Sequence, residues 1–179
     1  MKIHFALWLV ASVIPSMTLA QTCKPLSIQE TTPEAQFIER PDGTLKDGRT
    51  GLIWSRCSLG QHYVDQSCSG DPLFFDSWGE ALAAVEQANA ESSHDDWRMP
   101  DIKELGTLVE RSCSGPAINL TLFPDTPAES YYSSTPFASL RLGYDYTARA
   151  INFSDGTEFD PTNAAKFALR LVRGPISED

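Results

Sequence analysis

The sequence predicts an α+β domain built from antiparallel hairpins set around two helices. Three observations carry that reading. Short strand-like runs recur with Asp-Gly and glycine turn signals between them. Two segments place apolar residues at helical spacing, and strands do not alternate regularly with helices as a doubly wound sheet requires.

Taken in chain order, residues 1–20 carry one charge, Lys2, ahead of the apolar run 5–14 and the small-residue site Thr18-Leu19-Ala20. This is the pattern of a secretory signal peptide, and the run is shorter than the roughly 20 apolar residues that a bilayer span needs. No later segment approaches that length, so no integral membrane segment is expected once the signal is removed. Residues 21–36 are polar, with Pro25 and Pro33, and read as an N-terminal arm. Residues 37–57 read as paired strands, turned at Asp42-Gly43 and again between Gly48 and Gly51 before Leu52-Ile53-Trp54. Residues 76–91 form the best helix: Ser77 can cap it with Glu80 three residues on, and Trp78, Ala81, Leu82, Val85 and Ala88 follow at helical spacing. A second helix is predicted from Pro100-Asp101, with Ile102, Leu105 and Val109 on one face. Strands return at Tyr131-Tyr132-Ser133-Ser134 and at Ala150-Ile151-Asn152-Phe153, which ends on the Asp155-Gly156 turn. Residues 167–172 are the last predicted strand. The domain is read as 37–174, with 175–179 a tail.

Four cysteines follow the signal: Cys23, Cys57, Cys68 and Cys113. An even count in an exported chain favours two disulfides, and three pairings exist. Cys57 and Cys68 bracket a short polar loop, which suits a local staple and leaves Cys23 for Cys113. Zinc is the rival use, but CxxC is absent, and only His62 and His94 remain to help.

The formal net charge is −10, and −11 after loss of Lys2 with the signal. Such a chain is not built to release counterions from nucleic-acid phosphates or to dock on anionic lipid.

Six blocks in order resemble a known family. They are Asp47-Gly48-Arg49-Thr50-Gly51-Leu52-Ile53-Trp54-Ser55-Arg56-Cys57, Asp96-Trp97-Arg98-Met99-Pro100-Asp101-Ile102-Lys103-Glu104-Leu105, Pro116-Ala117-Ile118-Asn119, Tyr132-Ser133-Ser134-Thr135, Asn152-Phe153-Ser154-Asp155-Gly156 and Leu169-Arg170-Leu171-Val172-Arg173. The set resembles the C-terminal domain of the Legionella collagen-like adhesin, the Lcl C-terminal domain family. The resemblance implies a C-type-lectin-like fold, distantly similar to the formylglycine-generating sulfatase modifiers. It implies an adhesive role in an exported bacterial protein, including binding to sulfated glycosaminoglycans. Two departures separate this chain from that adhesin: it has no Gly-x-y tract, and its negative charge repels a sulfated polyanion. Within the blocks, Trp54 and Trp97 read as core, Arg98 as the internal holder of a carboxylate or carbonyl, and Arg170 and Arg173 as partners for acids.

Residues that carry chemistry are sparse. No HExxH, GxSxG or phosphate-cradling glycine loop is present. The sulfatase modifiers use a late cysteine pair, and nothing beyond Cys113 is cysteine, so neither that oxidase activity nor another catalysis is expected. His94 beside Asp95 and Asp96 is either a partial metal or pH-sensitive set or a solvated loop. Asn152, Asp155, Glu158, Asp160 and Asn163 offer hard oxygen ligands around one hairpin and its loop, and are the candidate calcium set. Glu-Pro-Asn, Gln-Pro-Asp and Trp-Asn-Asp motifs are absent, so no resident cofactor is expected. Residues 136–149 join two strand-like runs and contain Arg141, Tyr144, Asp145, Tyr146 and Arg149, the residue types that dominate binding hot spots. These five are the candidate ligand-binding residues. The sequence therefore reads as a non-catalytic recognition module of the bacterial envelope, periplasmic or surface-exposed, for a glycan or an envelope protein. A structural accessory of a secretion or pilus-like assembly is the second reading, and an envelope enzyme the third.

Overall fold

A computed structural model of the chain describes residues 20–137, 147–161 and 165–174. In chain order it has β1 (Thr22–Cys23), β2 (Phe37–Glu39), β3 (Leu45–Asp47), β4 (Ile53–Trp54), β5 (His62–Val64) and β6 (Ser67–Ser69). Helices α1 (Trp78–Glu91) and α2 (Ile102–Gly106) follow, then β7 (Cys113–Ser114), β8 (Ser130–Phe137), β9 (Thr147–Asn152), β10 (Thr157–Phe159) and β11 (Val172–Arg173). The strands pair antiparallel in four sheets, ordered β1-β7, β10-β9-β8, β11-β4-β3-β2 and β5-β6. Disulfides Cys23–Cys113 and Cys57–Cys68 staple them, so the α+β class and both cysteine pairings are as the sequence predicts. The signal-like residues 1–19 lie outside the described residues. Among the described residues, no helix is long and apolar enough to cross a membrane.

The first family block is a turn assembled on one carboxylate. Asp47 is fully buried, and its oxygens accept from the Arg49 N–H, the Gln36 amide and the Thr50 hydroxyl at 2.8–2.9 Å. A buried carboxylate needs such donors to offset its lost hydration. The later Asp155-Gly156 turn is tied to packing: Gly156 has φ +78°, and a Cβ there would stand 2.5 Å from Val109 Cγ1. Only glycine suits that site.

Local signals set both helix starts. The Glu80 N–H donates to Ser77 Oγ, while the Glu80 carboxylate accepts from the Asp76 N–H, so α1 begins at Trp78. At α2, Asp101 and Glu104 form a reciprocal capping box. Four details differ from the sequence reading. Pro100 precedes the cap instead of filling the first turn, and α2 stops at Gly106 because Val109 turns away to bridge Ile118. The Cys57–Cys68 loop is a hairpin, β5–β6, turned by Asp65 and Gln66 at φ 49° and 65°. Lastly, residues 167–172 are not one strand. Phe167 bonds Phe75, Ala168 bonds Ser130 and Tyr132, Leu169 bonds Leu59, Leu171 bonds Ser55, and Val172 bonds Arg98. This extended run is buried throughout and stitches separate elements together.

Two apolar clusters result. One gathers Leu45, Trp54, Leu105, Ile118, Phe123 and Phe153 between the four-stranded sheet and α2. The other packs Ala81 and Val85 of α1 on Met99, Tyr132, Ala150 and Leu169. Arg170 does not meet an acid as expected: it is fully buried, and its guanidinium donates to the Ser55 and Arg56 carbonyls and to Thr126 Oγ1.

Candidate functional site

The second family block, from Asp96 to Leu105, ties α1, α2, β8 and β11 together and borders the open surface. Asn89 on α1 clamps the Trp97 backbone, accepting from its N–H at 2.9 Å and donating to its carbonyl at 2.8 Å. The Trp97 indole N–H donates to Ser92 Oγ. The backbone of Arg98 pairs with Val172 in both directions, at 2.8 and 3.0 Å. Its guanidinium grips both oxygens of Glu104 at 2.6 and 2.7 Å, the internal carboxylate role expected of Arg98. Burial pushes the Glu104 carboxyl upward, but the Arg98 bonds and charge and the Asp101 N–H outweigh it and hold it below the usual range. Pro100 O accepts from the Ser134 N–H, and the Ile102 N–H donates to Thr135 Oγ1. A bulge makes those last two contacts reachable. Between the pairs Tyr132↔Ala150 and Pro136↔Ala148, three β8 residues oppose Arg149 alone.

Arg173 closes the block from the far side. Its guanidinium lies 5.3 Å from the Trp97 ring centroid and donates to Asp42 Oδ2 at 3.0 Å. His94 joins them, its Nδ1 3.2 Å from Arg173 and its Nε2 3.4 Å from Asp42. His94 thus lies against the Arg173–Asp42 ion pair that ties the β2–β3 turn to β11. Burial raises the Asp42 carboxyl, yet bonds from Thr44 and the charges of Arg40 and Arg173 bring it below its ordinary value. Arg173 does meet acids, as predicted.

Trp97 separates two clefts along α1. One, of about 480 Å³, lies between α1 and the β5–β6 side, with Leu59, Leu73, Ala88 and Leu171 on its walls. The other, of about 730 Å³, lies between α1 and the start of α2, with Leu82, Val85, Glu86, Met99, Asp101 and Ser134 around it. Trp54 is fully buried, whereas Trp97 borders both clefts and is half-buried.

Of the sequence-predicted ligand residues, Arg141, Tyr144, Asp145 and Tyr146 lie outside the described residues. Arg149 sits on β9, its guanidinium on Glu158 at 2.7 Å and Asp160 at 3.0 Å. Two carboxylates of the calcium set therefore face a protein cation. Asn152 and Asp155 accept from N–H groups of their own turn, Ser154 and Thr157, and Asn163 lies outside the described residues. Among the described residues, no three His, Cys, Asp or Glu side chains are grouped to hold a metal. Sequence reading missed Leu82 and Glu86 as cleft residues, because on α1 they look like any apolar and any charged helical position. It also missed Asn89, whose clamp on Trp97 spans eight residues.

The Lcl C-terminal domain model matches residues 43–173 of the chain. The chain belongs to the Lcl C-terminal domain family. No curated protein and no solved structure matches it in turn. Membership suggests an adhesin-like role at the cell envelope, and the two disulfides of this Lcl C-terminal domain accord with export.

Proposed function

We propose that this Lcl C-terminal domain is an exported, non-catalytic recognition domain that binds a glycan or protein partner at the cell envelope. Its hairpins and two helices are read as a C-type-lectin-like scaffold that works without a resident metal. The supporting observation is the division of labour on the α1 face. Polar groups of the Asp96–Leu105 block bond one another, while the half-buried Trp97 stands between two clefts that stay open. A concave, partly apolar surface with an aromatic wall is where ligands are ordinarily held.

The test is attachment of the purified domain to native envelope preparations and to a glycan array, comparing wild type with Leu73→Ser combined with Leu82→Ser. Both leucines are substantially exposed, so melting should hold while attachment falls at least tenfold. Undiminished attachment by a variant of wild-type stability removes the reading. A calorimetric titration with calcium, run alongside, should give no heat.

A further inference from the structure

We propose that the larger cleft takes a lysine or arginine side chain from an exposed protein segment, together with the apolar residue beside it. This rests on the recognition reading above and names the ligand class of that site. The argument is charge complementarity over an apolar floor. Val85 and Met99 are buried at the base, and Leu82, 38% exposed, leaves an apolar wall uncovered on α1. Three carboxylates and one guanidinium line the cleft: Glu86, Asp101, Glu104 and Arg98. Arg98 and Glu104 satisfy each other. Asp101 caps α2 and acts on the Arg98 charge, whereas among the described residues no cation is ion-paired to Glu86.

A cleft of this kind matches one side-chain chemistry. Lysine and arginine carry a long apolar stem under a charged head, so the stem lies on Leu82 and Met99 while the head reaches Glu86. A sulfated or phosphorylated ligand would bring like charge to the same carboxylates, under a whole-chain charge of −10. A neutral sugar would cover them without a charge partner, at a desolvation cost.

The experiment titrates the folded domain with a fluorescent peptide of alternating lysine and leucine. A peptide of alternating glutamate and leucine and a heparin oligosaccharide serve as controls. The lysine–leucine peptide should bind, weaken steeply with added salt, and lose about tenfold in affinity with Glu86→Lys at unchanged melting temperature. Leu82→Ser should weaken it in the same direction. Neither control should bind. Failure of the basic peptide to bind, equal binding by Glu86→Lys, or preference for either anionic probe overturns the proposal. If that happens while the leucine variant above still loses envelope attachment, the recognition reading stands and only the ligand class falls. If attachment is also indifferent to the leucines, both fall.

Discussion

Arg170 shows what a single residue of a family block does here. Its guanidinium is fully buried and has no carboxylate partner among the described residues; two carbonyls and the Thr126 hydroxyl receive it, and the Phe123 ring lies 5.0 Å away. Burial lowers its pKa, with Tyr131 opposing that drop. The side chain therefore works as a cross-brace: it closes the backbone of residues 55–56 against the segment around Thr126, where no strand pairing does so. Arg170→Ala leaves those acceptors buried and unpaired and opens a cavity, and should cost about 3–5 kcal/mol. Trp54→Phe should cost less, because the Trp54 indole N–H has no partner among the described residues to lose. Urea denaturation of the two variants gives the comparison; equal midpoints would remove the cross-brace role.

The elements differ in how far their causes lie along the chain, and that distance decided what could be read in advance. The caps at Ser77 and Asp101 and the turns at Asp42 and Asp155 depend on donors within four residues, so local chemistry announces them. The 167–172 run is apolar but for Arg170 and looks like a strand, yet its bonds go to several separate segments, and those partners are set only by the assembled fold. The same holds for the cleft, whose Leu82 and Met99 meet across seventeen positions, and for the N-terminal arm. Glu110 accepts from the Thr31 and Thr32 N–H groups, the Thr32 hydroxyl and the Ser112 N–H, seventy-eight or more positions away for the first two. Burial raises the Glu110 carboxyl, but these bonds from Ser112 and Thr32 prevail and hold it below its ordinary value. A carboxyl depressed in the folded state stabilises above its unfolded pKa, about 4.3, and that contribution is lost as pH falls through the lower folded value. Melting temperature should therefore drop below about pH 4.3, with Asp42 and Glu104 acting in the same sense. Glu110→Gln should melt earlier at neutral pH and lose less on acidification. An acid profile parallel to wild type would show that the arm is not held through this carboxylate.

At the scale of the whole molecule, stability and recognition are assigned to different parts. The two disulfides close loops of very different length, with separations of 90 residues for Cys23–Cys113 and 11 for Cys57–Cys68. In the chain-entropy account the longer closure contributes about 4–5 kcal/mol and the shorter about 3, both by restricting the unfolded chain. The arm that Cys23 carries is also held by Glu110 and by Gln21, whose amide donates to the Pro116 and Ile118 carbonyls at 2.7 and 2.6 Å. Removing Cys23–Cys113 should therefore leave the native arm docked while the unfolded state gains freedom. The hairpin likewise keeps anchors of its own, with Asp125 accepting from the Cys68 N–H and Arg56 stacked 4.4 Å over Tyr63. Cys23→Ser with Cys113→Ser should accordingly lose more stability than Cys57→Ser with Cys68→Ser, measured by denaturant unfolding without reductant. Neither cysteine pair lines the larger cleft, so affinity for the lysine–leucine peptide should survive both double substitutions under conditions where the domain remains folded. A reversed stability order would place the strain or the residual structure of the unfolded chain above loop closure. Loss of peptide affinity in a still-folded variant would show that the staples shape the binding face as well as the fold.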